Sequence, residues 1–103
     1  MRTIQSLAKM NGRVYVRLNG EKIGNEFMAQ AEKEGFTFKD GAKPTSRACA
    51  GIMALNSDNT INFVGLNGAI AFGSGAETIG DEKLIRIDYE KYMNGEEDYE
   101  VKL

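Results

Sequence analysis

The sequence predicts a single α+β domain of two layers: an antiparallel sheet of about five strands, one main helix on one face, and a short C-terminal helix. Three observations predict it. RVYVRLN, residues 13–19, alternates polar and apolar side chains with the period of a half-buried strand. GEKIGNEFMAQAEKEG, from Gly20, changes to a helical period. Short strand-like runs broken by Asn, Asp and Gly then follow, and local antiparallel pairing accounts for such runs most simply.

The elements follow in order. TIQSLAKMNG supplies one or two helical turns within a loosely ordered N-terminal segment, residues 1–11. In the first strand Val14, Val16 and Leu18 face the core, while Arg13, Tyr15 and Arg17 face outward. The helix sets Ile23, Phe27, Met28 and Ala31 on one side, opposite Glu26, Gln30, Lys33 and Glu34. Gly35 stands where a left-handed cap ends such a helix, so it stops near Glu34. Phe36 and Phe38 resume extended structure, both directed at the core beside Phe27, and Asp40-Gly41 turns the chain. Ile52–Leu55 and residues 60–64 form a hairpin, and LNG, residues 66–68, turns tightly into a further strand at residues 69–72. GSGAETIGDE is a link to the last strand, residues 83–87. Asp88 then caps a helix over Tyr89–Met93 that Asn94-Gly95 stops. Residues 96–103 form a solvated acidic tail.

A chain of 103 residues suits one domain, residues 1–103. With 42% hydrophobic and 27% charged residues it belongs with globular proteins, not disordered ones. No apolar run nears the ~18 residues that cross a bilayer, and the first twelve lack the apolar centre of a secretory leader. Cys49 is alone, which excludes an intrachain disulfide. The expected setting is the reducing cytoplasm, with no membrane partner. Histidine is absent, which excludes Ser-His-Asp and Cys-His chemistry and the usual zinc sites. The net charge of −2 argues against a general nucleic-acid binder. Charge is nonetheless segregated: residues 1–51 carry more bases than acids, while Asp81 onward holds eight acids and four bases.

Within EGFTFKDGAKPTSRACAG, residues 34–51, the residues Gly41, Lys43, Thr45, Ser46 and Arg47 are the types that hold a phosphate. Their spacing matches no Walker loop. The same stretch reads as a surface crossover in which Pro44 stiffens the path and Thr45 or Ser46 caps a short turn. Lys43 to Arg47 are expected to be exposed and mobile, and Cys49 to be a small core residue. GLNGAIAFGSG has four glycines in eleven residues, which hairpin turns or a close backbone approach to a ligand explain; no dinucleotide-fold context surrounds it. Arg13, Tyr15 and Arg17 interleave cation and ring, as in surfaces that stack on bases or grip acidic partners. The stripe also reads as a solvated strand face, or as a face beneath another element. The acid pairs, Asp81 with Glu82 and Glu96, Glu97 with Asp98, lack the apolar surroundings that shift a carboxylate. No cofactor, metal or catalytic residue is expected, and an enzyme is the least favoured class.

The pattern YVRL…EFMAQAEKEGFTFKDGAKPTS…INFVG…IRIDYEKYMNG resembles small proteins encoded by bacteriophages and mobile elements of gut bacteria. That resemblance implies a counter-defence factor of a bacterial host's cytoplasm, such as an anti-CRISPR inhibitor or a sponge for signalling nucleotides. The leading expectation is a non-enzymatic inhibitor or adaptor that binds another protein, a nucleic-acid-handling host defence protein. Its surface would be acidic: Asp81, Glu82, Asp88, Glu90, Glu96, Glu97, Asp98 and Glu100. The alternative is a module that binds a small phosphorylated ligand, such as a signalling nucleotide, with residues 41–47. The outer strands of an open sheet also leave a homodimer by edge pairing open.

Overall fold

The computed structural model describes residues 2–102. Met1 and Leu103, the first residue of the expected N-terminal segment and the last of the expected tail, lie outside them. In chain order the elements are α1 (Ile4–Ala8), β1 (Arg13–Arg17), α2 (Glu21–Lys33), β2 (Thr37–Phe38), a 3-10 turn (Pro44–Ser46), β3 (Ile52–Leu55), β4 (Thr60–Phe63), α3 (Gly65–Gly73), β5 (Thr78–Ile79), β6 (Glu82–Asp88) and α4 (Tyr89–Met93).

The α+β fold is as the sequence predicts, with six strands in the order β2-β4-β3-β1-β6-β5. The sheet is mixed where an antiparallel one was expected. β1 runs antiparallel to β3 and β3 to β4, but β1 is parallel to β6 and β2 to β4. The parallel β1–β6 pairing follows a connection through the stretch after β4. Residues 69–72, expected as a strand after a tight turn, are part of α3. Gly68 and Phe72, four apart, are both buried, so the stretch follows a helical period that its apolar residues on all sides conceal. Gly65, at φ +72°, turns the chain out of β4 into that helix.

One face of the sheet carries the main core. Val14 and Val16 of β1, Met53 of β3, Ile61 of β4 and Ile87 of β6 meet Phe27 and Met28 of α2. Phe36 and Phe38 are buried as expected, though Phe27 sets its ring edge against Tyr89 (5.2 Å) and Phe38 lies against Phe63 (5.4 Å). α2 ends where expected, with Gly35 at φ +90°. The hairpin of β3 and β4 closes through Asn59 at φ 64°. A second, smaller cluster occupies the opposite face, where Phe72 of α3 covers Tyr15, Ala54 and Leu84.

The first and last described segments are both tied down. Ile4 and Leu7 of α1 are buried, and the Glu34 carboxylate accepts the Ile4 and Gln5 amides at 2.9 Å each, so the N-terminal segment is docked where it was expected to be loose. The expected acidic tail instead pairs with the outer edge of β6. The Asp88 amide donates to the Tyr99 carbonyl (2.7 Å) and the Val101 amide to the Arg86 carbonyl (2.9 Å). Apolar contact drives this: Tyr99 and Val101 are partly buried, each against one of the two clusters.

Candidate functional site

The eight acids expected to share a surface do not. Asp88 ends β6 opposite Arg17 of β1 and is only 4% exposed. It caps α4 by accepting the Lys91 amide (3.1 Å), and it accepts from Arg17 Nη2 (2.9 Å) and Asn19 Nδ2 (3.4 Å). Burial pushes its pKa up, but the Lys91 amide, Arg17 and Asn19 outweigh that and hold the carboxyl below its ordinary value. Its oxygens are engaged by the fold. Asp81 and Glu82 lie at the far end of β6, about 20 Å away along seven residues. There Glu82 stands 3.9 Å from Arg13.

Glu90, on α4, and Glu96, Glu97, Asp98 and Glu100, on the segment that follows, remain exposed near one end of the molecule. That segment is clamped. Arg2 donates to the Tyr92 and Glu96 carbonyls and lies about 5 Å from the Tyr92 and Tyr99 rings. A shallow cleft of about 190 Å³ beside it mixes Asp98 and Glu100 with Lys91, Lys102 and the Arg17–Asp88 pair. Exposed acids thus follow one another along the clamped segment as an acidic ridge, with Lys91 and Lys102 on the flank of Asp98 and Glu100 and Lys102 Nζ 3.7 Å from Asp98 Oδ1.

The polar groups of residues 41–47 are mostly engaged within the chain. Thr45 donates to Glu32 Oε1 through its hydroxyl (2.6 Å) and its amide (3.2 Å), and Ser46 Oγ donates to the Lys43 carbonyl (2.6 Å). Arg47 pairs with Asp40 and stacks over the Phe38 ring, 4.5 Å from its centre. Thr45 lowers the pKa of Glu32, and Arg47 that of Asp40, so both carboxylates are anions beside the donors. Gly41, at φ +87°, makes the turn that returns its amide to the Phe38 carbonyl (2.8 Å). Lys43 is exposed, but Pro44 is buried. An incoming phosphate would have to displace two carboxylates of its own sign.

The strand face of Arg13, Tyr15 and Arg17 is no stacking platform, because α3 lies over it. Tyr15 is buried in the smaller cluster. Arg13 donates to Asn56 Oδ1 (2.8 Å) and Arg17 belongs to Asp88. Another cleft, of about 380 Å³, opens between the start of α2 and residues 48–51. Cys49 lines it half-buried and not in the core proper, and burial pushes its thiol up to about 11, which makes it a poor nucleophile at neutral pH.

Sequence reasoning missed the outward side of α3. Leu66 is 77% exposed and Ile70 58%. Reading residues 69–72 as a strand hid it, since the helical spacing of Leu66, Ala69, Ile70 and Gly73 was the signal.

Among the described residues no three His, Cys, Asp or Glu side chains gather as a metal site, and no helix is long and apolar enough to cross a membrane. The fold and its surfaces define a small α+β domain with a clamped acidic ridge and an apolar helix face. The chain matches no protein-family model, no curated protein and no solved structure.

Proposed function

We propose that this chain is a non-enzymatic adaptor or inhibitor that binds a basic protein surface through the ridge of Glu90, Glu96, Glu97, Asp98 and Glu100. One observation carries the reading: the acidic segment is paired to β6 and clamped by Arg2. A fixed backbone reduces the ordering entropy that a loose tail loses on binding. Fixed like charges also steer an oppositely charged partner into encounter. The resemblance to proteins of phages and mobile elements supports a host defence protein with a nucleic-acid channel as that partner, since such a channel is lined with base.

The test is the association rate with a partner captured from host lysate, for the wild-type chain and for Glu96→Lys/Glu97→Lys/Asp98→Lys. The reversal is expected to slow association tenfold or more at low salt and less at physiological salt, where the Debye length is about 8 Å. An unchanged rate at both salt concentrations would remove the ridge from the interface.

A further inference from the structure

A groove of about 360 Å³ runs between α2 and α4. Glu26, Ala29, Gln30 and Lys33 line it from α2, on one side of that helix by their spacing, and Tyr89 and Met93 line it from α4. Tyr89 is only 3% exposed, with its ring packed at a right angle to Phe27. A tyrosine so deeply buried ordinarily finds a partner for its hydroxyl. Tyr92 does, donating to the Thr3 carbonyl (2.7 Å), but the Tyr89 hydroxyl makes no hydrogen bond among the described residues. Nor is it sealed in. Arg17 Nε is the one fully covered side-chain nitrogen or oxygen without a partner among those residues, so the Tyr89 hydroxyl is reached from outside, by way of the groove it lines. Burial first, and then the Glu34 and Glu26 carboxylates, push its pKa up, which keeps it a neutral hydroxyl with lone pairs to offer.

The other unengaged groups there are mostly acceptors too. Gln30 Nε2 donates to Glu34 Oε2 (2.7 Å), which leaves Gln30 Oε1. Glu26 is exposed, and its carboxylate makes no ion pair or hydrogen bond among the described residues. Glu34 adds a second negative charge near the Tyr89 hydroxyl, although its oxygens already accept the Ile4 and Gln5 amides. Lys33 is the one base of the lining, seven residues from Glu26 and so about 10 Å away along the helix. An anion at the hydroxyl would meet two charges of its own sign. Between the ends, Ala29 and Met93 supply apolar wall. The complement of this groove is an aliphatic stem that ends in a cation with several N–H donors, which describes an arginine side chain.

We infer that the groove between α2 and α4 takes an arginine side chain of a partner protein, its guanidinium between Glu26, Gln30 Oε1 and the Tyr89 hydroxyl and its stem against Ala29 and Met93. The inference rests on the reading of this chain as a binder of a basic surface and gives that surface a second point of contact. The two sites share α4, since Tyr89 and Met93 line the groove and Glu90 belongs to the ridge.

The probe is N-acetyl-arginine methylamide, titrated to about 50 mM at constant ionic strength against the isotope-labelled chain and followed by amide chemical shifts. Saturable shifts centred on residues 26–33 and 89–93 are expected, with a dissociation constant of about 1–10 mM for so small a ligand. The N-acetyl-citrulline derivative, of the same shape without the charge, should not saturate. Tyr89→Phe keeps the ring against Phe27 and Glu26→Gln alters an exposed position, so both variants should fold, and each should weaken binding roughly two- to fivefold. Glu96→Lys/Glu97→Lys/Asp98→Lys should bind the probe as the wild type does, which separates failure of the groove from failure of the ridge. No saturable shift, equal binding of the citrulline derivative, or an affinity that either groove variant leaves unchanged overturns the inference.

Discussion

Arg17 Nη2 donates to Asp88 Oδ2 at 2.9 Å, and this bond joins the two central parallel strands at the point where β6 becomes α4. The same carboxylate caps α4, so one side chain closes a strand pair and starts a helix. Asp88→Ala should cost about 2–3 kcal/mol, combining a lost cap with an unpaired Arg17. Asp88→Asn keeps a capping oxygen and should cost about 1 kcal/mol at neutral pH. The sign of the acid dependence follows from the lowered pKa. A carboxyl with a depressed folded-state pKa contributes stability above its unfolded value, near 3.9, and loses it as the pH falls through the lower folded value. Urea unfolding at pH 7 and pH 3 should therefore show the wild-type chain losing more stability than Asp88→Asn. Parallel losses would mean that the pair contributes nothing to acid sensitivity.

Arg86 holds α3 to the sheet. Its Nε donates to the Phe72 carbonyl (2.9 Å), and Nη2 donates to those of Ala71 (3.0 Å) and Ala76 (2.7 Å). A cation at a helix C-terminus also opposes the partial negative charge there. Arg86→Met keeps the aliphatic stem and removes these donors, at a cost of roughly 2–3 kcal/mol. Hydrogen exchange should locate the effect in residues 65–76, with β1 and β3 remaining protected. Uniform loss of protection would mean that α3 opens only with the whole domain.

These two arginines show how far the sequence could be read. Alternation in β1 marked Val14, Val16 and Leu18 as core, and local spacing marked α2, the hairpin and the Asp88 cap. Each signal lies within one element. The burial of Tyr15 depends on α3, some fifty residues later, and Asp88 becomes a buried ion because β6 is laid parallel to β1. Long-range pairing leaves no local period. The ridge was legible as composition, but its clamp by Arg2 and Tyr99 was not.

The loop of residues 41–47 holds two cations, Lys43 and Arg47, and of these only Arg47 is in an ion pair among the described residues. Lys43→Ala should leave stability within about 0.5 kcal/mol, as exposed changes usually do. Arg47→Ala removes an exposed ion pair and a ring contact and should cost roughly 0.5–1 kcal/mol. Chemical denaturation of the two single variants resolves the difference. Equal, negligible effects would mean that Arg47 is free in solution to meet a ligand.

Two glycines of α3 should respond to alanine with opposite signs. In a helix interior Gly→Ala ordinarily gains up to ~1 kcal/mol through backbone entropy. Gly73 has the room for it, since an added Cβ would meet nothing within 4 Å. Its place at the last turn makes the gain smaller, about 0.3–0.5 kcal/mol. At Gly68 the same Cβ would come 2.7 Å from Val64 Cβ and 3.1 Å from the Tyr15 hydroxyl. The first contact is with the cap residue of the same helix and is relieved only by distorting the first turn of α3, and the second presses the helix away from Tyr15 on β1. Overpacking of this kind costs ~1–3 kcal/mol and outweighs the propensity gain. Gly68→Ala should therefore be destabilised by about 1–2 kcal/mol net, with the loss centred on the cluster of Tyr15, Phe72 and Leu84. Thermal unfolding of both variants checks the pair, and a stabilised Gly68→Ala would show that α3 does not lie this close to β1.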